Sequence, residues 1–254
     1  MKKGLELNVI GIIQARMTSS RLPGKILYPL ASGIPALVAL ITRLKKIRIE
    51  WWLATTDNKE DDIISIYGNA LGIKVFRGSE KDVLSRFENI ARLSNSDWIL
   101  RVTADNPLTD PKLTKMLIEQ AKHANKSQDL ISDSIGKRNF PQGLVPYIIR
   151  TSSLLSLRKK ISSKEKYHLT HVTSKVTKSK HAKFKYFDKK YSKCAGARLT
   201  LDVFEDYLTI SSLIEKLGNN WINCNVNNIT KVLNANPEIL SYNRHISQKK
   251  LSES

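Results

Sequence analysis

Cysteine is almost absent from this chain: its 254 residues hold two, Cys194 and Cys224. Their separation matches no metal-ligand spacing, and two thiols build no disulfide framework, so a reducing compartment is expected. No apolar run approaches the roughly 20 residues that cross a bilayer, which argues against membrane insertion. The start, MKKGLELNVIGII, has two lysines before an apolar stretch but no small-residue cleavage site. It reads as the lead-in to a first strand of a cytoplasmic protein. The phosphate-binding pattern GxxxxGK[ST] and the dinucleotide fingerprint GxGxxG are both missing. GxSxG and CxxC are missing too, and no carboxylate or cysteine completes a metal site or relay with His168 and His171. Hydrolase triads and thiol redox chemistry are thereby set aside. Zinc-finger spacing, heptads and the paired aromatics of RNA-binding sheets are also lacking, which excludes the familiar routes to specific nucleic-acid recognition.

Negative charge is scarce as well. Against 42 lysines and arginines stand 23 acidic residues, a net charge of +19. The lysines concentrate in residues 156–193 and at the C-terminus. Two readings of this excess stand: attraction of anionic partners, or the solvated faces of a lysine-rich protein. Hydrophobic residues make up 41% of the chain, enough for one sizeable interior.

What is present is an alternation. Residues 8–14, NVIGIIQ, read as a buried strand, followed by a polar loop with a Pro23-Gly24 turn. Pro35 opens a helix, 50–54 is a strand, 59–71 a helix, and 73–76 a third strand. Ser79 is the expected cap of the next helix, with Asp82 in the capping-box position. A fourth strand covers 97–102. Asp110-Pro111 is a strong helix start, running to about His123, and 129–132 is a short strand. Short apolar strands alternating with helices of ten to fifteen residues predict an α/β fold with a mostly parallel, doubly wound sheet. After Phe140 the rhythm changes: 143–149 is extended, 151–160 helical, 164–176 lysine-rich and amphipathic, and 183–187 and 198–201 are strands. Helices follow over 204–217 and 225–233. The expected organisation is one domain over 1–240 and a loose polar tail over 241–254. Within the domain, the change of rhythm separates 8–135 from 140–195.

Three places carry chemistry. In QARMTSSRLPGK, Arg16, Arg21 and Lys25 enclose Ser19, Ser20 and Gly24 at the end of the first strand. Guanidinium forks, an ammonium, hydroxyls and backbone N–H groups are what a triphosphate requires, although a solvated cationic turn has the same composition. In RVTADNPLTD, Asp105 follows a strand and offers hard carboxylate oxygen to a divalent ion; a plain turn residue is the alternative, and Asp110 reads as a helix cap. In RLTLDVFED, Asp202 again ends a strand. It would share a crevice with Asp105 if the two strands were neighbours, with magnesium between carboxylates and substrate phosphates. Asp206 fits the first turn of the next helix, and Arg198 could reach an anion or pair with a carboxylate.

Taken together, IIQARMTSSRLPGK, FRGSEKDVLSRF, RVTADNPLTDP and RLTLDVFEDY resemble the cytidylyltransferases of the spore-coat-polysaccharide type. These are relatives of the enzymes that make CMP-activated 3-deoxy-octulosonate and neuraminate. The resemblance runs from about Val9 to about Leu217. It implies a Rossmann-like nucleotidyltransferase fold with 8–135 as its nucleotide-binding half and 140–195 as the acceptor and dimerisation region, use of CTP with Mg2+, and release of pyrophosphate. It places Ala15, Arg16, Ser20, Arg21 and Lys25 at the nucleotide, with Arg77, Gly78 and Ser79 near the active site. Asp105 and Asp202 become the metal carboxylates. Gln142 and Gly143 begin a loop that closes on the acceptor, where His171 and Arg198 are further candidates.

The departures fall in the acceptor half. Where relatives read roughly GLDVEVF, this chain reads GLVPYII, so Val145 and Tyr147 stand at acidic positions. Leu169 to Thr173 reads LTHVT where relatives have REHVT, and only His171 remains of the charged trio. The expectation is transfer of CMP from CTP to an anionic acceptor such as an acidic sugar, by a homodimer. The alternatives are a phosphorylated polyol or phosphonate acceptor, a non-enzymatic nucleic-acid-binding protein, or an inactive relative retained as a partner subunit.

Overall fold

The strand β1, Val9–Gln14, owes its central place to four of its six side chains being Val or Ile. β-branched residues fit a pleated sheet buried on both faces, and β1 is flanked on both sides by parallel partners. The computed structural model describes residues 7–133, 138–161, 172, 181–183 and 189–247. The other strands are β2 (Glu50–Thr56), β3 (Lys74–Gly78), β4 (Trp98–Thr103), β5 (Leu130–Ser132), β6 (Tyr147–Arg150) and β7 (His181–Lys183). Among the described residues they form one seven-stranded sheet in the order β3-β2-β1-β4-β6-β5-β7. Only β6 runs against the rest, antiparallel to both β4 and β5. The mixed α/β architecture is the one expected.

Helices α1 (Ala36–Leu44), α2 (Asp62–Ala70), α3 (Val83–Ser94), α4 (Pro111–Lys122), α5 (Thr151–Ser156), α6 (Phe204–Leu217) and α7 (Val226–Ala235) cover the sheet. The larger core layer packs Leu37, Leu40, Leu113, Leu117, Ile210 and Ile229 against one face. The second layer sets Leu84, Phe87 and Ile90 of α3, with Leu154 of α5, against Ile10, Ile12 and Ile99 on the other. Each such fully buried side chain contributes roughly 1.5–3 kcal/mol. No helix among the described residues is long and apolar enough to cross a membrane.

Two polar residues tie the layers together. Asp110 caps α4 as expected, accepting from the amides of Lys112 and Leu113. Its second oxygen accepts from the Val226 amide, so one carboxylate holds the starts of α4 and α7. Arg43, fully buried on α1, donates to the carbonyls of Leu108, Thr109, Trp221, Ile222 and Cys224.

Three local expectations are corrected. α3 is capped by Asp82, whose carboxylate accepts from the Ser85 amide. Ser79 sits one turn too early, and its hydroxyl accepts from the Asp82 amide instead. Residues 198–201 are extended but form no strand of the sheet; Arg198 makes a single bridge to Gln142. The tail is not loose from Ser241, because Asn243 is buried and donates to the Arg198 carbonyl and to Asp206. The expected strand over 183–187 falls mostly outside the described residues, as does most of the lysine-rich segment.

Candidate active site

The loop leaving β1 meets the sheet at its C-terminal edge, where open α/β sheets place their ligands. Ala15 is buried there and its amide extends the ladder to the Ala54 carbonyl. Two carboxylates then pin the loop. Asp61, itself buried, accepts from the Met17 amide at 2.7 Å and from the Thr55 and Thr56 hydroxyls. Glu80 accepts from Thr18 and Asn58 and pairs with Arg16 at 3.4 Å. These contacts, Thr18 first, hold the Glu80 carboxyl below its ordinary range. Ser20 lies exposed on the outer part of the loop.

Gly24 has φ +68°, a left-handed turn that glycine adopts without strain, and it bends the chain back so that Lys25 points inward. The Lys25 ammonium lies 2.9 Å from Asp105 Oδ2 and 2.7 Å from Asp202 Oδ1. Asp202 Oδ2 is 3.2 Å from Arg21 and 2.7 Å from Arg198. Arg198 also forks onto Asp206, whose carboxylate accepts from the amides of Asp202 and Val203. Three cations and three carboxylates are thus interleaved within one cluster. Burial works against both partners of the central pair. The surrounding opposite charges override it, raising Lys25 above its ordinary pKa and holding Asp202 below its own.

The structure therefore brings together Arg21, Lys25, Asp105, Asp202 and Arg198. Asp105 and Asp202 do meet, but not as the ends of adjacent sheet strands. The Leu201 amide donates to the Asp105 carbonyl at 2.7 Å, and the Gln142–Arg198 bridge holds the segment alongside. Arg198, expected at the acceptor, spends its guanidinium on Asp202 and Asp206. Gly143, at φ +96°, has no room for a side chain: a Cβ would stand 2.5 Å from the Leu199 carbonyl oxygen and 3.1 Å from Asn106 Oδ1. Its neighbour Gln142 exchanges backbone hydrogen bonds with Ala197 and Leu199. Arg77 stands at the C-terminal end of β3, on the same parallel edge, and shares no contact with this cluster. It donates to the Thr56 and Asn58 carbonyls and pairs with Asp62, clamping the turn after β2. Ser79 and Gly78 lie with it, and His171 lies outside the described residues.

Sequence reading missed Asp61, Glu80, Arg86 and Arg101. Arg86 is fully buried beneath Gly78 and donates to the Ala54 carbonyl. Burial, reinforced by the Arg16 charge, pushes it down to about 10. Arg86 and Arg101 carry a faint signal, each a lone charge inside an apolar stretch, whereas Asp61 and Glu80 sit in the charged runs KEDD and EKD, which look like solvated turns.

The two carboxylates on Lys25 offer a divalent cation what it needs. Magnesium takes hard oxygen from one or two carboxylates plus substrate phosphates, and the ammonium already marks the point between Asp105 and Asp202 as one that favours positive charge. The donor set fits.

Comparison with known proteins bears on the family and the fold. The sequence profile described as cytidylyltransferase matches residues 10–193. An uncharacterized protein of Methanocaldococcus jannaschii is 36% identical over 97% of this chain and 99% of its own length. The spore coat polysaccharide biosynthesis protein SpsF of Bacillus subtilis is 32% identical over 91% of this chain and 96% of its own. A solved cytidylyltransferase from Leptospira borgpetersenii superposes with a TM-score of 0.83 at 27% identity, covering 96% of this chain and all of that one. A basic loop closed over paired aspartates at the sheet edge, in a chain matched by that profile over most of its length, makes this protein a CTP-using nucleotidyltransferase of the cytidylyltransferase family.

Proposed function

We propose that the protein transfers CMP from CTP to an acidic sugar or a similar anionic acceptor. The observation that carries the reading is the Lys25 ammonium held between Asp105 and Asp202. An acceptor hydroxyl attacks the α-phosphorus in line. The bond from that phosphorus to the β-phosphate bridge breaks, and pyrophosphate leaves with the electron pair while the hydroxyl proton passes to solvent. Asp105 and Asp202 would hold Mg2+, which when bound neutralises phosphate charge and acidifies an oxygen in its reach. Lys25, Arg21 and Arg16 supply the cations that bind the triphosphate and stabilise the departing pyrophosphate. Among the described residues Arg16 is held by a 3.4 Å contact on a side chain that is 42% exposed, so it can turn to a phosphate at little cost. Arg198 and Asp206 keep Asp202 in place. In this reading the chain works as a homodimer joined through its second half.

The test is incubation with each of the four nucleoside triphosphates, Mg2+ and a panel of acidic sugars and sugar phosphates, with pyrophosphate detected. CTP-dependent release with an acidic sugar is the expected result. Release with a purine nucleotide, or with none, would remove the reading. A second reading, a phosphorylated polyol or phosphonate acceptor, is favoured by Val145 and Tyr147, which leave this half of the site without the acidic pair.

A further inference from the structure

Arg101 stands on β4, two residues before the strand ends and four before Asp105. In the sheet it lies beside Ile12 of β1 and Tyr147 of β6. Its Nη2 donates to Gln14 Oε1 at 3.0 Å. Its Nε is sealed from solvent and has no partner. Among the described residues no carboxylate pairs with it, although Arg158 holds two and Arg198 holds two. Arg86 also lacks a carboxylate, but it is shut in completely, whereas Arg101 keeps part of its surface open.

A buried guanidinium with nothing to neutralise it is expensive to hold. Burial pulls Arg101 below its ordinary pKa, and the nearest groups pulling the other way are Tyr147 and Asp105. A charge kept in that condition beside a metal carboxylate suits an anion brought by a ligand. In the transferase reading the nucleotide's phosphates already have Arg16, Arg21 and Lys25, none of which shares a contact with Arg101. From Arg101 to the end of β4 is two strand residues, roughly 7 Å, so a group bound there can present a hydroxyl near Asp105. One guanidinium balances one negative charge, and its planar fork matches a planar carboxylate through two parallel hydrogen bonds.

We propose that Arg101, flanked by Gln14 and Tyr147, is the seat of the acceptor's carboxylate and sets the enzyme's preference for acid acceptors. This rests on the transferase reading above and deepens it.

The test uses the full-length protein with CTP and Mg2+. The probes are 3-deoxy-octulosonate and neuraminate, their primary carboxamides, and glycerol 3-phosphate. The wild type should use at least one acid and reject its amide. Arg101→Gln should raise the KM for that acid by about 10²-fold, the scale of removing one partner of a buried charge pair, while CTP affinity by calorimetry stays as in the wild type. Arg101→Lys should recover part of the loss. Gln14→Glu, which puts a carboxylate where Arg101 already finds an amide oxygen, should raise the same KM without unfolding the chain. Turnover of glycerol 3-phosphate and neither acid, equal use of acid and amide, or an unchanged acceptor KM in Arg101→Gln and Gln14→Glu would each overturn the assignment, as would CTP binding with no turnover of any acid. Failure to bind CTP at all would instead strike the transferase reading itself.

Discussion

Lys25 and Asp202 stand 177 positions apart in the chain, and their ammonium nitrogen and carboxylate oxygen lie 2.7 Å apart. One delivers the cation of the basic loop, the other a carboxylate held in place by Arg198 and Asp206.

If this pair and Asp105 form the reaction centre, Asp105→Asn and Asp202→Asn should each lower turnover by about 10²-fold or more. Steady-state pyrophosphate release measures it. Near-normal turnover in either variant removes that residue from the centre.

The basic loop gives a graded test. Arg21→Ala should weaken CTP binding by about tenfold or more, and Arg21→Lys should recover only part, because an ammonium cannot copy a two-pronged contact. Lys126→Ala, at an exposed position away from the cluster, should change neither affinity nor rate. Equal effects from Arg21→Ala and Lys126→Ala would mean that bulk charge attracts the nucleotide.

The charge cluster should also give stability a defined pH window. Asp202 is held below its ordinary 3.8, so its contribution is complete above that value and disappears as pH falls through the lower folded-state pKa. Lys25 is raised above 10.5, so its contribution is complete below 10.5 and disappears as pH rises through the higher folded-state value. Urea melts should find Asp202→Asn less stable than wild type by about 1–3 kcal/mol at neutral pH, with the gap closing in acid. A gap that persists unchanged at pH 2 contradicts the assignment.

Gly143→Ala should destabilise by about 1–3 kcal/mol, since the backbone there is left-handed and the added methyl meets the Leu199 carbonyl. Thermal unfolding reads it. If the melting temperature is unchanged, the segment from Gln142 to Leu144 is not held as described.

Much of this molecule can be read from local pattern. The apolar run of β1, the Pro23-Gly24 turn and the Asp110-Pro111 helix start each depend on neighbours in sequence, and each is found where that logic puts it. Ser79 and Asp82 show the limit. Both residue types cap helices, and which one does so depends on where the chain leaves β3. The pairing of Asp105 with Asp202 was visible as two aspartates after apolar runs, but the means were not. Residues 198–201 look like a strand because they alternate, and only the packing against Gln142 and the Asp105 carbonyl shows that they stand outside the sheet. Asp61 carries no local signature and Arg101 only that of a lone charge in an apolar strand, since their importance comes from what the fold brings to them.

The division of the cluster between the two ends of the chain has a consequence for the protein while it is being made. A ribosome releases Lys25, with the strand it hangs from, 177 positions before Asp202. Domains fold as units and from the N-terminus during translation, so for most of that time Arg21 lacks the carboxylate it pairs with and Lys25 has only Asp105. The nascent chain therefore carries an uncompensated cationic edge until Asp202, held by Arg198 and Asp206, arrives and closes it with opposite charge.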